Sequence, residues 1–211
     1  MIVKWLGHAS FLVKASGKNF YIDPYAGEYL EKADVILITH SHRDHCDLDK
    51  IKAVQKSDTL IVTSLDCARG LEGNIVSMSP GEKKQIHGVE IEAVEAYNCK
   101  RFRSPGVPFH PKGTQIGFIM SADGKRVYHA GDTDFIPEMK EITDVDVALL
   151  PIMGRATMDL EEAVEAAVAI HPKIAIPMHR RGASEEEFKK RVEAKSDVQV
   201  LAISEGDEID P

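Results

Sequence analysis

His40-Ser41-His42-Arg43-Asp44-His45 directly follows the apolar run Val35-Ile36-Leu37-Ile38-Thr39, and this junction decides the fold. The run reads as a buried strand. Histidines at i and i+2 project to one side of an extended segment, so His40 and His42 can grip one ion where the strand ends. Asp44 and His45 come as the chain turns away, and they point to a second ion. Metal-ligand residue types at a strand end, with acidic and histidine partners recurring downstream, set this stretch apart from an ordinary solvated turn.

Working outward, the first half opens with strands over residues 1–6, 10–15 and 19–23, the last two joined by a turn at Ser16-Gly17-Lys18. A helix is predicted over 47–55, then a strand at 60–63, a short helix from Ser64, and strands at 75–77, 84–86 and 89–96. The second half repeats that order: a hairpin over 115–121 and 125–130, and a buried strand at 145–150. A helix follows, started by the capping box Asp159-Leu160-Glu161-Glu162 with the apolar stripe Ala163, Val164, Ala167, Val168 and Ile170. A strand at 174–178 and a charged helix at 184–193 complete it. Two such halves suggest an α/β chain of sheet packed on sheet with helices outside, forming one domain over 1–211. Residues 97–113 interrupt the pattern with a long loop carrying Pro105, Pro108 and Pro111. Loops of that length in compact domains are usually functional.

Composition narrows the partners. The chain has 211 residues and a net charge of −8, enough for one sizeable core and without the basic field that draws nucleic acid or anionic membrane. No apolar run approaches a membrane span, and Met1-Ile2-Val3-Lys4-Trp5 reads as a strand rather than a signal peptide, so the expected location is cytoplasmic. Cys46, Cys67 and Cys99 are scattered and odd in number, which argues against a disulfide framework. Cys46 reads as a packing residue despite following the histidine cluster.

Further metal-ligand types close later strands: His129-Ala130-Gly131-Asp132-Thr133 and Pro177-Met178-His179, with His110 in the long loop. Together with the first motif they supply enough nitrogen and oxygen donors for two divalent ions about 3.5 to 4 Å apart with a carboxylate between them. These motifs, with Leu6-Gly7-His8, Ile22-Asp23-Pro24, Leu149-Leu150-Pro151-Ile152 and Thr157-Met158, resemble the metallo-β-lactamase superfamily. The resemblance is nearest to its stand-alone hydrolase branch, which includes ascorbate-6-phosphate lactonase and the phospholipase D acting on N-acyl ethanolamine lipids. It spans nearly the whole chain and implies a four-layer αβ/βα sandwich with a dimetal site at one edge.

Carried onto this sequence, the resemblance makes His40 and His42 ligands of the first metal, Asp44, His45 and His179 ligands of the second, and Asp132 the bridge. The expected metal is zinc, with manganese, iron and nickel as alternatives. One ligand departs from the pattern. The third histidine of the first metal normally closes an Ala-x-His sequence, and here Ala96-Tyr97-Asn98 puts Asn98 there. His110, Asn98 or a water could fill the place, and His110 is preferred because an imidazole outperforms a neutral amide for zinc-like ions. Asp23 is either an acceptor orienting a ligating histidine or a turn residue before proline. His8 is either a pocket group or a satisfied histidine in a strand bend. Strand alternation turns His129 away from the metals, and His87 and His171 read as solvent residues in turns.

Two cations would lower the pKa of a shared water from about 15.7 towards about 7, so hydrolysis needs no nucleophilic side chain, and Asp44 or Asp132 can orient the water and take its proton. Cations gather in the segments expected around the metals: Lys100, Arg101, Arg103 and Lys112 in the long loop, Arg155, and Arg180 and Arg181 after His179. Guanidinium groups suit phosphate or carboxylate. Arg155 and Arg180, with Asn98, are therefore the expected substrate contacts. The resulting expectation is a dimetal hydrolase of a small anionic ester, lactone or phosphodiester, with homo-oligomers compatible. A nuclease, a metal-binding protein with little turnover and a diiron oxidoreductase are the competing readings.

Overall fold

The computed structural model describes residues 1–211. The first half runs β1 (Ile2–Gly7), β2 (Ser10–Ala15), β3 (Lys18–Ile22), β4 (Val35–Ile38), α1 (Leu48–Val54), β5 (Leu60–Ser64), α2 (Leu65–Ala68) and β6 (Asn74–Met78). The second runs β7 (Lys83–Ile86), β8 (Val89–Glu95), β9 (Phe102–Ser104), β10 (Val107–Pro108), β11 (Ile116–Ala122) and β12 (Lys125–His129). A 3₁₀ turn at Pro137–Glu141, β13 (Val147–Pro151), α3 (Leu160–Ile170), β14 (Ile174–Met178), α4 (Glu185–Lys195), β15 (Gln199–Val200) and β16 (Glu208–Ile209) complete it.

Two seven-stranded sheets result, in the orders β16-β1-β2-β3-β4-β5-β6 and β15-β14-β13-β12-β11-β8-β7. In each, antiparallel hairpin strands give way to parallel ones from β3 or β12 onward. Period-two alternation explains why β4 is apolar throughout. Val35 and Leu37 enter the core between the sheets, while Ile36 and Ile38 pack with Ile51 and Val54 of α1 on the outer face. Strand β13 behaves alike, with Val147 and Leu149 facing the other sheet and Ala148 and Leu150 facing the α3 and α4 layer. Each fully buried aliphatic side chain contributes about 1.5 to 3 kcal/mol. The layers are thus helix, sheet, sheet, helix, as the sequence led one to expect.

The helix boundaries follow their caps. Asp47 accepts from the Asp49 and Lys50 amides to start α1. Asp159 and Glu162 form the expected reciprocal box, and His171 closes α3 in the left-handed region. Four short strands escaped the sequence pattern. β16 returns from the end of the second half to pair with β1, β15 extends the second sheet, and β9 with β10 forms a hairpin within the long loop, joined to neither large sheet. No helix is long and apolar enough to cross a membrane.

Parallel strands β3, β4, β12 and β14 all end on one edge of the sandwich, and there the sheets are stitched together. The Ile116 amide donates to Thr39 O across the gap, and the His179 amide donates to His8 O. At the opposite end of β4, Asp34 accepts from the Asn19 amide at 3.0 Å, Lys56 Nζ at 2.9 Å and Lys18 Nζ at 3.2 Å. Burial by itself would raise this carboxyl, but those donors outweigh it and hold the pKa down to about 2. A depressed carboxyl contributes stability above its unfolded pKa and loses it as pH falls towards the folded one. Asp34→Asn should therefore cost about 1 to 2 kcal/mol in urea unfolding at pH 7, discounted for the half-exposed lysines. The difference from the parent should shrink between pH 4 and pH 2; one that stays constant over that range would contradict this account.

Candidate metal centre

The ligand-type side chains come from three strand ends and one loop. His40, His42, Asp44 and His45 follow β4, Asp132 follows β12, His179 follows β14, and His110 descends from the long loop after β10. Their donor atoms fall into overlapping groups: His40, His42 and His110; His40, His45 and Asp132; and His8, Asp44, His45 and His179, each within 4.8 Å. His42 Nδ1 lies 3.0 Å from both His40 Nε2 and His110 Nε2. Asp132 reaches His45 Nε2 at 3.3 Å, His179 Nε2 at 3.5 Å and His110 Nε2 at 3.8 Å. A glycine lets the chain come this close: Gly131 has φ of +65°, and a Cβ there would stand 3.3 Å from Thr39 Cβ.

A hydrogen-bond network aims these rings. Asp23, fully buried, accepts from the Thr39 amide at 2.8 Å, the Thr39 hydroxyl at 2.7 Å and His45 Nδ1 at 2.7 Å. Because the Thr39 hydroxyl donates to Asp23, it accepts from His40 Nδ1 at 3.0 Å. Both rings therefore carry a proton on Nδ1 and turn Nε2 inward. Asp23 is thus an orienting acceptor, the first of the two roles open to it from sequence.

Electrostatics sorts the rings into two kinds. Burial pushes His40, His42 and His110 down, His110 to about 4, so their lone pairs are free at neutral pH. Burial acts the same way on His45, but Asp132 and Asp23 on its two sides overcome it and raise it. The His179 ring 3.7 Å away and the hydrogen bond from His8 hold Asp44 well below the usual carboxylate range. Asp132 is lowered too, its burial outweighed by His45 and His179.

Whether these residues fit metal ions is decided by their unmet bonds. His45 Nε2, Asp132 Oδ1 and both ring nitrogens of His179 are buried with no hydrogen-bond partner; the 3.3 Å approach of His45 to Asp132 lacks hydrogen-bond alignment. Each such atom costs about 1 to 3 kcal/mol. A cation that takes the lone pairs of His45 Nε2, His179 Nε2 and Asp132 Oδ1 removes that cost at those three atoms together. Imidazole and carboxylate donors in this mixture suit zinc-like divalent ions.

The other expected residues land less uniformly. Asn98, expected to face substrate, spends its amide inside the protein: Nδ2 donates to Asp134 and Ala156 O, and Oδ1 accepts from His110. Arg180 is likewise engaged, its guanidinium 4.0 Å over the Trp5 ring and donating to Ile203 O. Its neighbour Arg181 instead reaches Asp44 Oδ2 at 3.3 Å, and Arg103 approaches His42 Nε2 at 3.4 Å. Arg155 is exposed after β13. Arg101 is structural, bonded to Asp134, Asp159 and Gly154 O, and Lys100 and Lys112 are paired with Glu162 and Glu138. His129 bonds Ala9 O and the Gly131 amide, away from the cluster. His8, which sequence left undecided, joins the cluster through Asp44 Oδ2 at 3.2 Å.

A two-sheet sandwich with this histidine and aspartate cluster at one edge defines a metal-dependent hydrolase of the metallo-β-lactamase fold. The chain belongs to the beta-lactamase superfamily, whose domain model matches residues 2–179, and to its UPF0173 metal-dependent hydrolases. The UPF0173 protein of Methanosarcina mazei is 33% identical over 98% of this chain and 97% of its own. Among solved structures, a protein of Parabacteroides distasonis assigned as a metal-dependent hydrolase superposes with a TM-score of 0.87 at 36% identity, covering 94% of this chain and 90% of that one. Igni18, a metallo hydrolase from Ignicoccus hospitalis, gives 0.81 at 28%, covering 99% and 97%.

The Asp23 network generates a test that does not depend on substrate. Removing an outer acceptor of a metal-binding histidine commonly costs about 10- to 100-fold in metal affinity. Asp23→Asn should show that loss in competition with a chromophoric chelator for zinc, and unchanged zinc retention would contradict the orienting role.

Proposed function

We propose that the chain is a dimetal hydrolase of small anionic esters, lactones or phosphodiesters. His40, His42 and His110 hold the first ion; Asp44, His45 and His179 hold the second; and Asp132 lies between them. The observation that carries this reading is the set of buried, partnerless donor atoms on His45, His179 and Asp132, with the rings of His40, His42 and His110 gathered beside them. Divalent ions held there, zinc in the first instance, supply Lewis acidity that brings the pKa of water towards about 7 and offsets negative charge on the reacting oxygen.

The chain's own residues supply positioning and proton handling. Asp44 carries a side chain 27% exposed, and its Oδ2 is shared by His8 and Arg181. It is placed to orient an attacking water and to accept its proton. Asp132, deeper and 5% exposed in its side chain, keeps the two histidine groups in register.

Two clefts flank the cluster. On the first-ion side lies a cleft of about 280 Å³ that includes Ser41, Asp66, Arg103, Thr114 and Gln115. On the other side a cleft of about 330 Å³ is lined by Trp5, His8, Ala26, Arg180, Arg181 and Glu205. Small polar clefts support a compact polar substrate over a long acyl chain. Guanidinium groups on both sides, Arg103 and Arg181, support an anionic one, with exposed Arg155 available to a more distant charge. The net charge of −8 disfavours a nucleic-acid polyanion.

Two measurements test this. Metals per chain in His42→Ala and Asp132→Ala should differ: the first variant should lose one ion, the second should loosen both, and two ions retained without Asp132 would refute its bridging place. Inorganic phosphate should bind the zinc-loaded protein, and Arg103→Gln or Arg181→Gln should weaken it about 5- to 30-fold, the equivalent of about 1 to 2 kcal/mol. Phosphate that fails to bind, or binds both variants as it binds the parent, would point to neutral lactones or thioesters.

A further inference from the structure

Asp134 and Asn98 lie outside the proposed ligand set, yet together they determine which face His110 shows to it. Asp134 is fully buried just beyond the Asp132 strand end. Its Oδ2 accepts from the Cys99 and Lys100 amides, both at 2.7 Å, and its Oδ1 from Arg101 NH1 at 2.7 Å and Asn98 Nδ2 at 2.9 Å. Backbone amides and a guanidinium can only donate, so the Asp134 carboxylate is the acceptor in every one of these contacts.

That polarity propagates. An asparagine amide has one donating and one accepting end, and which end points where follows from its partners. Asp134 Oδ1 and Ala156 O, the latter at 3.0 Å, are both acceptors, so the Asn98 amino group faces them. The Asn98 oxygen is thereby turned to His110, where it accepts from the backbone amide at 3.0 Å and meets Nδ1 at 2.7 Å. A neutral imidazole whose Nδ1 faces an acceptor carries its proton there. The lone pair then belongs to Nε2, which lies 3.0 Å from His42 Nδ1.

We infer that Asp134 and Asn98 are positioning residues that fix His110 as the Nδ1–H tautomer and so reserve Nε2 for the first metal. This rests on the proposed role of His110 as a ligand and explains how a loop residue can serve in it. Asn98 occupies the place where the resemblance puts a ligating histidine. Here the amide instead holds an imidazole that arrives twelve residues later. The same Asp134 gathers the backbone of residues 99–100 and the Arg101 side chain, so loop path and ring tautomer share one anchor.

The test is a swap. In Asp134→Asn, the new amide keeps its oxygen on the Cys99 and Lys100 amides and turns its amino group to Asn98, donor against donor. Asn98 can relieve this only by flipping, which gives up its bond to Ala156 O, presents its own amino group to His110 and favours the Nε2–H tautomer. Long-range proton–nitrogen correlation spectra of the metal-free protein, assigned by loss of signal in His110→Gln, read the tautomer directly. The parent should show Nδ1–H, and Asp134→Asn should shift His110 towards Nε2–H and weaken zinc binding about 10- to 100-fold. The double variant Asn98→Asp with Asp134→Asn reverses the pair: an acceptor again faces His110 and a donor again faces position 98. It should recover the Nδ1–H signal and part of the zinc affinity, the rest being lost because Ala156 O then faces an oxygen at position 98 and Arg101 an amino group at position 134, a rescue that a merely structural role would not give. Asp134→Asn spectra that keep Nδ1–H overturn the inference, as does a folded double variant that binds zinc no better than the single one. His110→Gln binding zinc as the parent does would overturn the ligand reading, while the tautomer spectra still decide the positioning.

Discussion

The buried carboxylate of Asp23 is the constraint on which the rest of the site depends. Lying at the end of β3, it takes the Thr39 amide and hydroxyl at the end of β4, and the His45 ring beyond. One side chain thus joins two parallel strand ends and aims two imidazoles, His45 directly and His40 through Thr39. A carboxylate without exposure is costly unless both its oxygens are hydrogen-bonded; three donors within 2.8 Å meet that condition. The Asp134 and Asn98 pair does the same for His110 from the opposite flank. Outer acceptors on both sides thus turn Nε2 of His40, His45 and His110 towards the cluster.

Such an arrangement stores unfavourable energy at one edge and relies on the sandwich to contain it. His8, Asp23 and His179 all have φ near +50°, a region that non-glycine residues enter at a cost of about 1 to 3 kcal/mol. Buried polar atoms lie beside them without partners. The two-sided burial of β4 and β13 supplies the rigidity that holds the rings in place, and bound cations would remove much of the strain in the donor set. Metal binding and the stability of this edge are therefore linked.

Much of this was legible in the sequence, for identifiable reasons. Val35 to Thr39 is apolar at every position because both faces of β4 are covered, and strand alternation then places His40 and His42 on one side. The Asp159 capping box and Gly131 announce themselves by residue type. What was not legible depends on backbone turns. Between His179 and Arg181 two residues have positive φ, 48° and 29°, so adjacent arginines diverge, Arg180 to Trp5 and Arg181 to Asp44. Sequence adjacency to a ligand had favoured Arg180. Asn98 was misleading for another reason: its position resembles that of a ligand, but the direction of an amide depends on Asp134, thirty-six residues away. β16 is two residues long and carries a glutamate, so no periodicity could mark it.

The central claim is that two divalent ions occupy this edge with Asp132 between them. Anomalous diffraction from crystals of the zinc-loaded protein, collected on both sides of the zinc edge, tests it most directly. The account predicts two peaks about 3.5 to 4 Å apart, the first within coordination distance of His40 Nε2, His42 Nδ1 and His110 Nε2, the second of Asp44, His45 and His179, and an Asp132 oxygen towards each. A single peak, or a first ion that approaches Asn98 in place of His110, would contradict it.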